Sequence, residues 1–87
     1  MEYENIKVKS LGDIKGDYKF GIRKTGSSIY VEIPGHGGGR DGPQIPSYPE
    51  QEEWMRKHSG LEEVWYLTWE VKNQEDLDKF IQKLKGV

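Results

Sequence analysis

The sequence contains no cysteine, which excludes a disulfide framework, a thiolate metal centre and a thiol nucleophile. It also lacks any apolar run near the roughly 20 residues that cross a bilayer as a helix, so no membrane partner is expected. Its first residues, Met1-Glu2-Tyr3-Glu4-Asn5, are polar and acidic, unlike a signal peptide. A cytoplasmic location is the resulting expectation. Histidine is scarce, with His36 and His58 alone, and no His-Glu-x-x-His spacing occurs. A hydrolytic zinc site needs three protein ligands, so neither a metal nor another cofactor is expected.

Strong charge of one sign is missing too. Thirteen Lys and Arg face fifteen Asp and Glu, for a net −2. Residues 1–46 carry a net +1 and residues 47–87 a net −3. Neither half has the basic excess of a dedicated duplex-DNA binder. Hydrophobic residues make up only 33%, but aromatics reach 11%, with three tryptophans. A few large rings can therefore build the modest core open to a chain of 87 residues, which is long enough for one domain and too short for two.

What is present alternates. Ile6 and Val8 point one way in residues 3–10, with Tyr3, Asn5, Lys7 and Lys9 opposed, the pattern of a half-buried strand. Residues 11–17 read as a turn-rich connection. Tyr18, Phe20 and Ile22 mark a second strand, and Ile29, Val31 and Ile33 a third. Thr25-Gly26-Ser27-Ser28 reads as the hairpin loop between them. The run Val64-Trp65-Tyr66-Leu67-Thr68-Trp69-Glu70-Val71 reads as one strand, with Trp65, Leu67, Trp69 and Val71 on its inner face and Val64, Tyr66 and Thr68 on its outer face.

Between the third strand and this run, residues 34–49 hold all four prolines and five of the eleven glycines. No regular element survives that composition, and loops of this length tend to serve function. Ser47-Tyr48-Pro49-Glu50 then fits a capping box. It opens a short helix to about residue 58, with Gly60 as its stop. Asn73 caps a final helix, with Leu77, Phe80, Ile81 and Leu84 on one stripe and Gly86 beyond its end. The expected fold is a single α+β domain over residues 1–87. Its order is β-β-β-loop-α-β-α, a small antiparallel sheet of about four strands with two helices on one face.

Two surfaces carry chemistry. In the Gly/Pro loop, His36, Arg40 and Asp41 sit among glycines whose backbone N–H groups can approach an anion. No helix opens directly behind them and no Gly-Lys-Ser/Thr ending follows, unlike a phosphate loop. The second surface is the outer sheet face, where Tyr3, Tyr30 and Tyr66 interleave with Lys7, Lys9, Lys19 and Arg23. Acidic residues Glu50, Glu52, Glu53, Glu62 and Glu63 read as a solvated helix face or a landing site for a basic partner.

The expectation is a small non-enzymatic module that binds another protein. Its contacts are His36, Arg40, Asp41 and Tyr48 of the loop and Tyr30 and Tyr66 of the sheet face, because tyrosine is prominent at interface hot spots. Small accessory or inhibitor proteins, such as those of mobile genetic elements, share this general profile. The alternative is single-stranded nucleic acid held by Lys7, Lys9, Lys19, Arg23 and Tyr30, rings stacking on bases and cations following phosphates. A second alternative is an anion-binding protein or hydrolase that uses the Gly-rich loop. No sequence pattern specifies the oligomeric state.

Overall fold

The computed structural model describes residues 2–34 and 48–85. His36, Arg40 and Asp41, the Ser47 cap, Gly86 and the side chain of Tyr48 lie outside the described residues. Within them the chain is α+β. Five antiparallel strands, β1 (Glu2–Leu11), β2 (Ile14–Lys24), β3 (Ile29–Glu32), β4 (Glu62–Trp65) and β5 (Thr68–Val71), form one sheet in the order β1-β2-β3-β5-β4. Two helices, α1 (Tyr48–Trp54) and α2 (Gln74–Leu84), accompany it.

The β2–β3 hairpin forms where the alternation places it. Lys24 pairs with Ile29, and the Thr25 N–H donates to the Ser28 carbonyl at 2.9 Å to close the loop. The β1–β2 connection differs from expectation. Both strands continue to a two-residue turn at Gly12-Asp13, so the supposed connection over 11–17 is largely strand. Its apparent breakers are absorbed in two ways. Gly12 takes φ 59 at the turn, a conformation glycine adopts without strain. Gly16 and Asp17 stand against Lys9 alone as a bulge, where the register shifts between Val8 and Ser10. The Tyr18 ring folds over Gly16 so closely that a Cβ there would lie 2.9 Å from it.

The core lies between one sheet face and the helices. Phe20 of β2 meets Phe80 of α2 edge-on with ring centroids 6.0 Å apart, and Trp54 of α1 packs against Phe80 at 6.2 Å. On α1, Gln51 and Trp54 are buried, as is Met55 in the π-helical turn (Met55–Ser59) that continues it. These positions, i, i+3 and i+4, form the inward stripe of a helix. Gln51 was not expected inside. Its amide donates to the Lys19 carbonyl at 2.7 Å, occupying an acceptor on β2 beyond the end of β3. Gly60, at φ 73, terminates the segment. In α2 the Asn73 side chain accepts from the Asp76 N–H at 2.9 Å, and Leu77, Phe80 and Leu84 are buried with Ile81 partly so.

The run expected as one strand over 64–71 is instead a hairpin, which raises the sheet from about four strands to five. Trp65 pairs with Thr68, and Tyr66-Leu67 forms the turn. Leu67 has φ 55, left-handed backbone that costs a non-glycine residue about 1–2 kcal/mol. Three contacts hold it there. Its side chain is fully buried, its N–H donates to a Glu63 carboxylate oxygen at 3.1 Å, and its carbonyl accepts from the Ile33 N–H at 3.1 Å. The turn takes Trp65 off the core face assigned to it and leaves it 54% exposed. Trp69 and Leu67 stay inside, and Thr68, expected outside, is buried.

Candidate functional site

Strand pairing arranges the outer sheet face, away from the helices, as rows of side chains. Tyr3 lies opposite Arg23, Arg23 opposite Tyr30, Tyr30 opposite Glu70 and Glu70 opposite Glu62. The neighbouring row runs Asn5, Gly21, Glu32, Thr68 and Trp65. Lys7 and Lys19 form the next pair. The alternation read from the sequence therefore does place Tyr3, Tyr30, Lys7, Lys19 and Arg23 on one surface.

The middle of this surface is a closed polar cluster. Glu32 is completely buried, and one Arg23 nitrogen donates to both its carboxylate oxygens at 2.9 and 3.2 Å. Beside it, Gly21 leaves room for the Tyr3 ring, since a Cβ at that position would sit 2.9 Å from the ring carbon bearing the hydroxyl. Burial raises the Tyr3 phenol above its usual pKa of 10.0; the Glu32 charge pushes the same way and Arg23 opposes it. Ionising Tyr3 is thus harder in the folded state than in the unfolded one. Its contribution to stability is present below a pH of about 10 and is lost as the pH rises through the elevated folded value. Tyr3→Phe is expected to flatten the alkaline limb of a urea-denaturation series; an unchanged limb would contradict this placement.

The two flanks of the cluster differ. On the β1–β2 side Lys9 pairs with Asp17, a contact that holds the Asp17 carboxyl below the usual carboxylate range by hydrogen bonding and then by charge. Arg23 is committed to Glu32. Of the four cations in the nucleic-acid reading, two are thus bound to carboxylates, and Lys7 and Lys19 are left directly opposite each other. Like charges in that position repel.

On the β3–β5–β4 side the surface is aromatic. Tyr30 stacks on Trp65 with centroids 5.5 Å apart and planes tilted by 36°. Val64, Trp65 and Tyr66 are consecutive and exposed, Tyr66 at 60%. Underneath, Glu63 accepts from Arg56 at 3.1 Å as well as from the Leu67 N–H, tying the turn to the end of the α1 segment. Tyr30 and Tyr66 were read from the sequence as contacts, whereas Trp65 was missed. Its assignment to the core followed from reading 64–71 as continuous.

His58 is exposed at the end of the π-helical turn, its ring centroid 5.9 Å from that of Trp54. Among the described residues no group of three or more His, Cys, Asp or Glu is placed to hold a metal ion, and no helix is long and apolar enough to cross a membrane. No known family model, curated protein or solved structure matches this chain.

Proposed function

We propose that this is a small non-enzymatic protein-interaction module that binds a partner protein through the aromatic end of its outer sheet face. The observation that supports the reading is the hairpin tip. Val64, Trp65 and Tyr66 stand exposed on a turn whose strained Leu67 is held in place by three separate contacts. Backbone strain of this kind persists where the surroundings enforce it, and it concentrates at functional positions. Exposed Trp and Tyr side by side are the residue types that dominate interface hot spots. Glu62 and Glu70 flank the tip on the same face, so the partner it fits offers an apolar pocket rimmed by cationic groups. In this reading His36, Arg40, Asp41 and Tyr48 of the Gly/Pro segment add a second set of contacts.

The test is capture of a partner by the tagged protein, followed by affinity measurement with that partner purified. Trp65→Ala with Tyr66→Ala is expected to weaken binding by about thirtyfold or more, the effect of losing a hot spot. Lys7→Gln with Lys19→Gln and nuclease treatment should leave it unchanged. Loss of binding with the lysine variant or with nuclease, and not with the tip variant, would transfer the function to single-stranded nucleic acid.

A further inference from the structure

The helix-covered side of the β1–β2 turn carries a second candidate site, which shares no residue with the aromatic tip. There the turn, the end of the α1 segment and the last turn of α2 enclose an open cleft of about 470 Å³. Its apolar wall is Leu11, Ile14 and the Trp54 ring, and its polar rim is Asp13, His58 and Lys83. A smaller hollow bordered by Glu50, Glu53 and Lys57 adjoins it and shares Ile14, Trp54 and His58.

Three features suggest a ligand. Trp54 is only 7% exposed. Its ring is engaged by Phe80 and His58, but among the described residues nothing accepts its indole N–H. A tryptophan N–H can only donate, so an acceptor brought into the cleft would give it a partner. Trp54 lines the cleft together with Gly12. Gly12 takes left-handed backbone, and a Cβ on it would be in ordinary van der Waals contact with Nε1 at 3.7 Å. Ile14, which lines the same cleft, is 51% exposed, an apolar side chain left open. Finally, Lys83 belongs to none of the ion pairs among the described residues, whereas Lys57 is paired with Glu53.

We propose that this cleft binds a small amphiphilic monocarboxylate. The carboxylate accepts from the Trp54 N–H and pairs with Lys83, and the apolar body lies on Ile14 and Leu11. A single negative charge suits Lys83, the one unpaired lysine among the described residues lining the cleft. Asp13 on the rim and Glu50 in the adjoining hollow oppose a phosphate, which carries more charge. Protein–protein recognition by the tip does not require this site, so the two readings stand or fall separately.

The experiment is titration of the ¹⁵N-labelled protein with hexanoate, followed at the three indole N–H resonances, with acetate, hexanol and inorganic phosphate as comparison probes. Hexanoate is expected to shift the Trp54 resonance saturably and to leave those of Trp65 and Trp69 in place. Acetate and hexanol, each lacking one half of the contact, should bind more weakly. Lys83→Gln should weaken hexanoate binding by up to about fivefold, the effect of losing one solvent-exposed ion pair, and Asp13→Asn should tighten it. A Trp54 resonance that does not move, or that responds as strongly to hexanol or phosphate as to hexanoate, would overturn the proposal. Trp54→Phe removes the N–H and keeps a ring. Equal hexanoate affinity in that variant, shown folded by its amide spectrum, would overturn it as well.

Discussion

Trp69→Ala is expected to destabilise the protein by about 3–5 kcal/mol, and Trp65→Ala by less than about 1 kcal/mol, in urea titrations followed by circular dichroism. The two residues lie four positions apart in one apolar run, and continuous strand would put both on the same face. Trp69 is 1% exposed and pairs across the sheet with Val31, which is fully buried. Removing its ring leaves a cavity that the rest of the buried cluster cannot fill without leaving its own packing. Loss on that scale is a large share of the roughly 5–15 kcal/mol that holds a typical domain folded. Trp65 rests on Tyr30 at the surface, so truncating it exposes one ring and opens no cavity. Comparable losses at both positions would mean that Trp65 is core and that no aromatic tip exists.

Arg23→Ala is expected to cost on the order of 3 kcal/mol, because it removes the guanidinium from a carboxylate that is wholly out of water. Arg23 itself remains 29% exposed, so water can partly take its place, and the loss falls at the lower end for a broken buried pair. Arg23→Leu combined with Glu32→Leu should lie closer to wild type than Arg23→Ala alone, since no buried charge is then left without its arginine. A loss below about 0.5 kcal/mol for Arg23→Ala would place the pair among ordinary surface ion pairs.

The parts of the fold that were legible in the sequence are those where one local signal had a single solution. The alternation in residues 18–33 with Thr25-Gly26-Ser27-Ser28 between the strands defines the β2–β3 hairpin. Asn73 followed by the Leu77, Phe80, Ile81 and Leu84 stripe defines α2. What escaped was set by tertiary contacts. Tyr66-Leu67 contains no Gly, Asn or Pro, so nothing local announces a turn. The left-handed Leu67 is held by Glu63, by Ile33 and by burial, none of them visible in the adjacent residues. The same applies to Gly16 and Asp17, which look like strand breakers until pairing with Lys9 turns them into a bulge. Gln51 looks like one more polar residue in an acidic helix, and its burial depends on a carbonyl of β2 that β3 is too short to reach.

The candidate site divides along the same line. Period-two alternation was enough to put Tyr3, Tyr30, Lys7, Lys19 and Arg23 on one surface. Their pairings were not legible: Arg23 with Glu32 and Lys9 with Asp17 depend on register, and each removes a cation from the nucleic-acid reading. Trp65 required the hairpin to be known first.

Both the sheet and the proposed binding surface depend on the turn at Tyr66-Leu67, and nuclear Overhauser contacts across it test that turn most directly. A hairpin brings Trp65 against Thr68 and Glu63 against Trp69 as antiparallel partners, and cross-strand contacts between these pairs are the predicted result. Their absence, with the sequential pattern of one unbroken strand from Val64 to Val71, would return Trp65 to the core face and remove the surface on which the proposed function rests.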